Sequence, residues 1–415
     1  MRYGLLGKKL IHSFSKEVHN RLGNNEYELI ELSENELEFF LKKKEFSALN
    51  VTIPYKETVM PYLDYIDVNA IEIGAVNTVV NRNGKLYGYN TDFFGMKSLI
   101  EKSGVSATNK SALILGTGGT SKTAKAVLKS LGVKTILKVS RTKSEDTITY
   151  DEAIKSYNNF EIIINTTPVG MYPLTDSIPI NLDTFNNLEL VIDAVYNPIN
   201  TKLVLSAQKR GIKAFGGLYM LVCQAVKADG YFFEKKCDTA VLEKIYNEIL
   251  SSKINIVLTG MPASGKSTIG KKLAEITGRE LIDTDDLIIK KVGISISEIF
   301  EKCGEEYFRK IESEVIAEAS LKNGVIISTG GGAVLRSDNI LNLKKNGEIF
   351  FLNRPLEDLI PTSDRPLANS RESIIKRYNE RIDIYNSTAD FVVKVITPDI
   401  TANEILKYFK EGLNQ

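Results

Sequence analysis

Charge of one sign is what this sequence has least of: 53 lysines and arginines meet 52 aspartates and glutamates, for a formal net charge of +1. Without a net field, the chain has no overall attraction to nucleic acid or an anionic membrane, so any anion binding must be built locally. Cysteine is also scarce. Cys223, Cys237 and Cys303 are odd in number and lack the spacing of a metal site or redox pair, which fits a reducing compartment. Long apolar runs are missing as well. The start, Met1-Arg2-Tyr3-Gly4-Leu5-Leu6-Gly7-Lys8-Lys9-Leu10, is broken by glycine and lysines before a signal-peptide core can form. No later run reaches the length of a membrane span. What remains is 415 residues, 43% hydrophobic and 25% charged, enough for two or three domains. The expectation is a cytoplasmic enzyme acting on small molecules, with no nucleic-acid or membrane partner; composition leaves the oligomeric state open.

The first 60 residues alternate short apolar runs, such as Tyr27 to Leu32 and Ala48 to Pro54, with charged helix-like segments such as Glu34 to Lys44. That is an α/β pattern. Between the first strand and first helix stand Ser13-Phe14-Ser15. Their hydroxyls could hold a carboxylate, although an isolated pair more often caps a helix. Asn50 to Lys56, Gly74 to Val80 and Gly88 to Asp92 each place amides, hydroxyls or charges at a strand end. Together they supply a lysine, a carboxylate and several amides, where a polyhydroxylated acid could be held and a proton moved.

From Ser111 the pattern becomes a dinucleotide fold. The strand Ser111 to Leu115 enters Gly116-Thr117-Gly118-Gly119-Thr120-Ser121 and then a helix, so Gly116, Gly118 and Gly119 would let the backbone approach a pyrophosphate at the helix N-terminus. Serine replaces the last glycine of the usual pattern. The next strand ends in Ser140-Arg141-Thr142-Lys143, where a cofactor lacking the 2′-phosphate would call for an acidic residue. Arg141 and Thr142 suit the 2′-phosphate of NADP instead. Asn165 to Met171 and Ala194 to Pro198 follow further strands, at the ends where such sheets bind ligands. Gln224 interrupts an otherwise apolar helical face.

Six separated motifs, Ser13 to Ser15, Asn50 to Lys56, Gly74 to Thr78, Asn90 to Asp92, Asn165 to Met171 and Gly217 to Gln224, resemble the shikimate dehydrogenases over residues 1 to about 250. The resemblance implies reversible NADPH-dependent reduction of 3-dehydroshikimate to shikimate. It also implies a substrate-binding domain of residues 1–100 plus about 226–250 and a Rossmann-like NADP domain of 101–225. Lys56 and Asp92 would be its catalytic pair, Ser13 and Ser15 would grip the carboxylate, and Thr52, Asn77, Tyr196 and Gln224 would hold ring substituents. The family usually has proline after the second serine, where this chain has Lys16. A quinate-using dehydrogenase stays open, since one extra hydroxyl leaves no mark on these motifs.

Past the expected helix of residues 239–250, Ser251-Ser252-Lys253 reads as a short seam. The strand Ile254 to Thr259 then enters Gly260-Met261-Pro262-Ala263-Ser264-Gly265-Lys266-Ser267-Thr268, a full G-x-x-x-x-G-K-S. Backbone amides from Gly260 to Thr268 would cradle ATP phosphates, Lys266 would reach the β/γ oxygens, and Ser267 would ligate Mg²⁺. The stretch Asp283-Thr284-Asp285 puts carboxylates at another strand end, one for the metal and one for a substrate hydroxyl. Arg309 and Glu312 stand at helical i, i+3 spacing, more often a surface ion pair. Gly330, Gly331 and Gly332 end a strand where a ring could approach closely.

These features resemble shikimate kinase from about residue 254 to 415. The resemblance implies that Asp285 meets the hydroxyl to be phosphorylated, Arg309 and Arg381 grip the carboxylate, Gly330 to Gly332 contact the ring, and Asp283 supports Mg²⁺. Arg365, in a lid between Leu359 and Leu367, would stabilise the transferring phosphoryl group. That lid is short and lacks the second basic residue common in relatives, so a non-catalytic nucleotide sensor is the alternative. The expected architecture is α/β throughout: a substrate domain and a Rossmann-like domain, then a P-loop domain with a parallel sheet. The expected function is two consecutive steps of the shikimate pathway.

Overall fold

A computed structural model describes residues 2–10, 13–360 and 370–412. The chain divides into two compact units, Met1–Ile249 and Leu250–Gln415. The first is built on two six-stranded sheets. One comprises β1 (Tyr3–Gly7), β2 (Tyr27–Glu31), β3 (Ala48–Val51), β4 (Tyr65–Ile66), β5 (Thr78–Arg82) and β6 (Lys85–Tyr89), in the order β2-β1-β3-β5-β6-β4. It is mixed: β1 runs parallel to β2 and β3, whereas β5 is antiparallel to both β3 and β6. The reversal is written locally, because Asn83 and Gly84 both have positive φ (54° and 82°), the pairing a two-residue hairpin turn demands. Strand β3 is buried along its whole length, as expected for an interior strand covered on both faces. Leu49 packs there with Leu6, Leu37, Val76 and Leu86.

The second sheet comprises β7 (Ser111–Leu115), β8 (Thr135–Ser140), β9 (Thr147–Thr149), β10 (Ile162–Asn165), β11 (Leu190–Asp193) and β12 (Lys213–Phe215). Its order is β12-β11-β10-β7-β8-β9 and every pairing is parallel. Unbroken apolar runs such as Ile162-Ile163-Ile164 reflect burial from both faces. The helices Asp92–Lys102 and Leu218–Phe233 pack closely because Gly95 has no side chain; a Cβ there would lie 2.5 Å from the Met220 carbonyl oxygen.

The second unit has one parallel sheet of β13 (Asn255–Thr259), β14 (Leu281–Asp283), β15 (Ile326–Ser328), β16 (Gly347–Asn353) and β17 (Phe391–Lys394), ordered β14-β15-β13-β16-β17. Central β13 is wholly buried and delivers the glycine loop at its C-terminal end. The expected seam is not a break: the helix Thr239–Lys253 includes Ser251, Ser252 and Lys253 as its last turn. The Ile254 amide still donates to the Leu250 carbonyl at 2.9 Å. Among the described residues no helix is long and apolar enough to cross a membrane.

Candidate active sites

In the first unit, the turn after β3 carries Lys56, and Asp92 opens the helix Asp92–Lys102. A carboxylate is favoured there by the exposed amides of a helix N-terminus. Lys56 Nζ lies 2.5 Å from Asp92 Oδ2, with side-chain exposures of 13% and 3%. An ion pair so enclosed is costly to part, which holds the ammonium in a fixed place. Next to it, Asn77 donates from Nδ2 to Thr91 Oγ1 at 3.1 Å and to Gln224 Oε1 at 3.0 Å, and its Oδ1 accepts the Thr91 amide at 2.7 Å. Gln224 therefore has its partner across the fold, not in water. Asn90 is occupied structurally, bonding the Ala75 carbonyl and the Phe93 amide.

Ser13 Oγ donates to Ser15 Oγ at 3.1 Å and accepts the Ser15 amide at 3.2 Å. The helix Ser15–Arg21 begins after Phe14, which makes no side-chain cap, so Ser13 serves the helix start and also presents its hydroxyl beside Ser15. Burial raises the pKa of the Tyr196 hydroxyl, against hydrogen bonds from the Ser13 hydroxyl and the Phe14 backbone. The Phe14 and Tyr196 rings sit 5.3 Å apart. Thr52 lies between β3 and Lys56, and its amide donates to the Leu6 carbonyl at 2.9 Å.

The glycine loop after β7 meets the same region. Gly116 has φ of +109° and a Cβ there would lie 2.9 Å from Thr166 Oγ1, so only glycine suits that position. Among the described residues a Cβ on Gly118 would find nothing within 4 Å, and one on Gly119 would lie 3.7 Å from Lys56 Cδ. This loop at the start of the helix Gly119–Ser130 has room for a pyrophosphate and abuts the lysine, so the residues fit a bound dinucleotide. Arg141 and Thr142 are exposed just past β8, beside β7, and Arg141 has no ion pair among the described residues. No motif in the sequence singles out Asp193 as more than the end of a strand. Its carboxyl is fully buried and pushed up to about 6 by burial, against hydrogen bonds from Thr201, the Val195 amide and Asn165. It thereby fixes the loop leading to Tyr196.

In the second unit Gly260 (φ +150°) and Gly265 (φ +93°) shape the loop; a Cβ on Gly260 would lie 2.8 Å from Ser264 Oγ and 2.9 Å from the Leu352 carbonyl oxygen. Lys266 is buried, and its ammonium donates to the Gly260 and Met261 carbonyls at 2.9 Å each. Ser267 Oγ donates to Asp283 Oδ2 at 2.7 Å, Ser328 Oγ reaches the same oxygen at 3.0 Å, and Asp283 Oδ1 accepts the Asp285 amide at 3.0 Å. This juxtaposed hydroxyl and carboxylate suits a hard divalent cation. Thr268 is exposed on the first turn of the helix Lys266–Thr277.

A cavity of 440 Å³ joins Ser267, Asp283 and Asp285 to Arg309, Glu312, the three glycines and Arg381. The Arg309–Glu312 pair is internal, not on the surface: Nη1 lies 2.7 Å from Glu312 Oε2, with exposures of 9% and 1%. Burial raises the Glu312 carboxyl against the pull of Arg309, and nearby Asp285 pushes it the same way. Arg381 donates from Nη1 to the Gly331 carbonyl at 3.0 Å, and the Tyr385 hydroxyl donates to that same oxygen. Glu312 Oε1 and Arg381 Nε are buried with no hydrogen-bond partner among the described residues. The glycines are spatially required. A Cβ on Gly330 would lie 2.8 Å from Asp285 Oδ1 and from Glu312 Oε1, and one on Gly332 would collide with the Arg309 guanidinium. Arg365 falls outside the described residues. Glu305 and Arg377 went unnoticed in the sequence; both act electrostatically on this cluster.

A parallel dinucleotide sheet whose loop abuts a lysine–carboxylate pair, followed by a P-loop beside an arginine-lined cavity, defines a two-part nucleotide-dependent enzyme. Residues 5–79 match the family model of the shikimate dehydrogenase substrate binding domain, and residues 262–411 match that of shikimate kinase. The chain is 38% identical over 260 residues to the shikimate dehydrogenase (NADP(+)) of Clostridium beijerinckii, covering 59% of this chain and 96% of that protein. The crystal structure of shikimate dehydrogenase 1 from Peptoclostridium difficile aligns with a TM-score of 0.56 at 37% identity, covering 60% of this chain and 98% of that one. The shikimate 5-dehydrogenase of Thermus thermophilus, solved with NADP(H) and shikimate, aligns at 0.53 and 27% identity, covering 60% and 99%. The chain belongs to the shikimate dehydrogenase family and continues into a shikimate kinase domain.

Proposed function

We propose that the first unit reduces 3-dehydroshikimate to shikimate with NADPH and that the second phosphorylates shikimate to shikimate 3-phosphate with ATP and Mg²⁺. Within the first unit we assign residues 1–100 and about 226–250 to substrate binding and 101–225 to the cofactor. The observation that carries the reading is the 440 Å³ cavity, in which the Ser267–Asp283 corner of the P-loop opens onto buried Arg309 and Arg381. A phosphoryl acceptor bearing a carboxylate fits there, and such an acid is what the preceding 249 residues would make.

When bound, NADPH supplies the hydride, ATP the phosphoryl group, and Mg²⁺ neutralises phosphate charge. In the first site Lys56 donates a proton to the substrate oxygen as the carbonyl becomes an alcohol, and Asp92 holds the ammonium in line. Ser13 and Ser15 take the carboxylate, while Asn77, Gln224, Thr52 and Tyr196 fix the ring. In the second site Asp285 accepts the proton of the attacking hydroxyl. Arg309 and Arg381 hold the acid, and Lys266, with Arg365, offsets the developing charge. Incubating the protein with 3-dehydroshikimate, NADPH, ATP and Mg²⁺ should yield one final product with the mass of shikimate 3-phosphate. Accumulation of unphosphorylated shikimate would refute the kinase half, and unconsumed NADPH the dehydrogenase half.

A further inference from the structure

The long helix Ile296–Ser320 is interrupted at Gly304, whose φ of 83° and ψ of 170° belong to a region that only glycine occupies readily. A Cβ there would meet nothing within 4 Å among the described residues, and the backbone angle itself calls for glycine. The helix resumes at Glu305, one turn before Arg309. From that position Glu305 Oε1 accepts from Arg309 Nε at 3.3 Å and from Nη2 at 3.1 Å. The third nitrogen, Nη1, is committed to Glu312 Oε2 and lies against Gly332.

The Nε/Nη2 edge of an arginine is a two-donor edge matched to carboxylates. In Arg309 it is the edge that Glu312 leaves over. The two glutamates differ in how firmly they hold. Glu312 is 1% exposed whereas Glu305 is 53% exposed, so water can solvate a released Glu305 carboxylate but not a released Glu312. Arg309, which lines the kinase cavity, thus carries a fixed counter-ion and an exchangeable one on the same guanidinium.

We infer that Glu305 is a specificity-determining residue that competes with the substrate carboxylate for the Nε/Nη2 edge of Arg309. An acid must displace Glu305 to engage that edge, so the residue sets the threshold at which a carboxylated acceptor is retained. Acceptors without a carboxylate gain nothing from its release. The inference rests on the kinase reading above.

The test uses the full chain with Glu305→Gln and Glu305→Ala, assayed for ADP release with ATP, Mg²⁺ and either shikimate or its methyl ester. The wild type is assayed first, and absence of shikimate-dependent turnover would sink the kinase reading itself. With that turnover present, both variants should show a KM for shikimate lower by about two- to fivefold, the factor corresponding to an exposed ion pair. Their kcat should be little changed and their KM for the ester unaltered. An unchanged or higher KM for shikimate in both variants, or an equal fall for the ester, would overturn the competition while leaving the kinase reading intact. A merely structural role would lower kcat and thermal stability without the carboxylate-dependent fall in KM.

Discussion

At the scale of single residues, the two sites depend on groups whose neighbours leave them little freedom. Lys56 is held by one buried carboxylate, so Lys56→Ala should lower kcat for reduction by on the order of 10² to 10⁴ while phosphorylation of added shikimate continues at the wild-type rate. Gly332→Ala would drive a methyl group into the Arg309 guanidinium. Displacing that arginine should reduce kcat/KM for phosphorylation on the order of 10²-fold, with NADPH oxidation as the unaffected internal control. The placement of Lys56, Asp92, Lys266, Asp285 and the glycine loops just beyond strands was legible in sequence, because turn residues and short apolar runs mark those strand ends, while the roles proposed for them come from the family resemblance. Glu305 was not. A glutamate four residues before an arginine on a helix looks like any solvated ion pair, and only the break at Gly304 with the burial of Arg309 shows what the pair encloses. The i, i+3 spacing of Arg309 and Glu312, taken alone, points to a surface pair for the same reason.

At the scale of elements, packing contributes features that no local pattern announces. Gly95 lets two helices of the first unit touch, and Gly95→Ala should cost about 1 to 3 kcal/mol by overpacking, visible as a lowered unfolding midpoint. In the second unit Glu348, second in β16, is a mostly buried carboxyl, pushed up to about 7 by burial and then by the nearby charge of Asp390; Asp390 is itself paired with Lys344. Its folded value lies above its ordinary value of 4.5. Its contribution to stability is therefore fully present below pH 4.5 and is lost as pH rises through about 7. Unfolding of the second unit followed from pH 5 to 8 should show Glu348→Gln losing less stability than the wild type, by about 2 to 3 kcal/mol. An identical pH slope in the variant would remove Glu348 as the cause. The strands themselves were readable, since unbroken apolar runs between turn residues mark buried parallel strands. The end of the helix Thr239–Lys253 was not, because its last carbonyls are satisfied from residues far along the chain. Arg279 donates to the carbonyls of Ser251 at 2.5 Å and Ile254 at 2.7 Å, and the Gly324 amide donates to that of Lys253 at 2.9 Å. Those partners extend the helix by a turn beyond where two serines and a lysine suggest it stops.

At the scale of the whole molecule, two units with separate sheets carry separate nucleotide loops, and their chemistries should separate by mutation. Lys266→Ala should abolish ADP release and leave NADPH oxidation intact, the converse of Lys56→Ala. An equimolar mixture of the two variants should again turn 3-dehydroshikimate into shikimate 3-phosphate. Loss of both activities in either folded variant would mean that the units do not work independently. Arg279 also decides where the chain can be cut. Its guanidinium is partly withdrawn from water, which lowers its basicity, and it donates to both of those carbonyls. A kinase fragment begun at Ile254, the first residue of the strand as the sequence reads, would discard the Ser251 carbonyl and remove one of the two backbone acceptors of this partly buried guanidinium. A fragment begun at Leu250 keeps the whole clasp, so the excision point for making the second enzyme alone lies inside a helix and upstream of the motif that announces it.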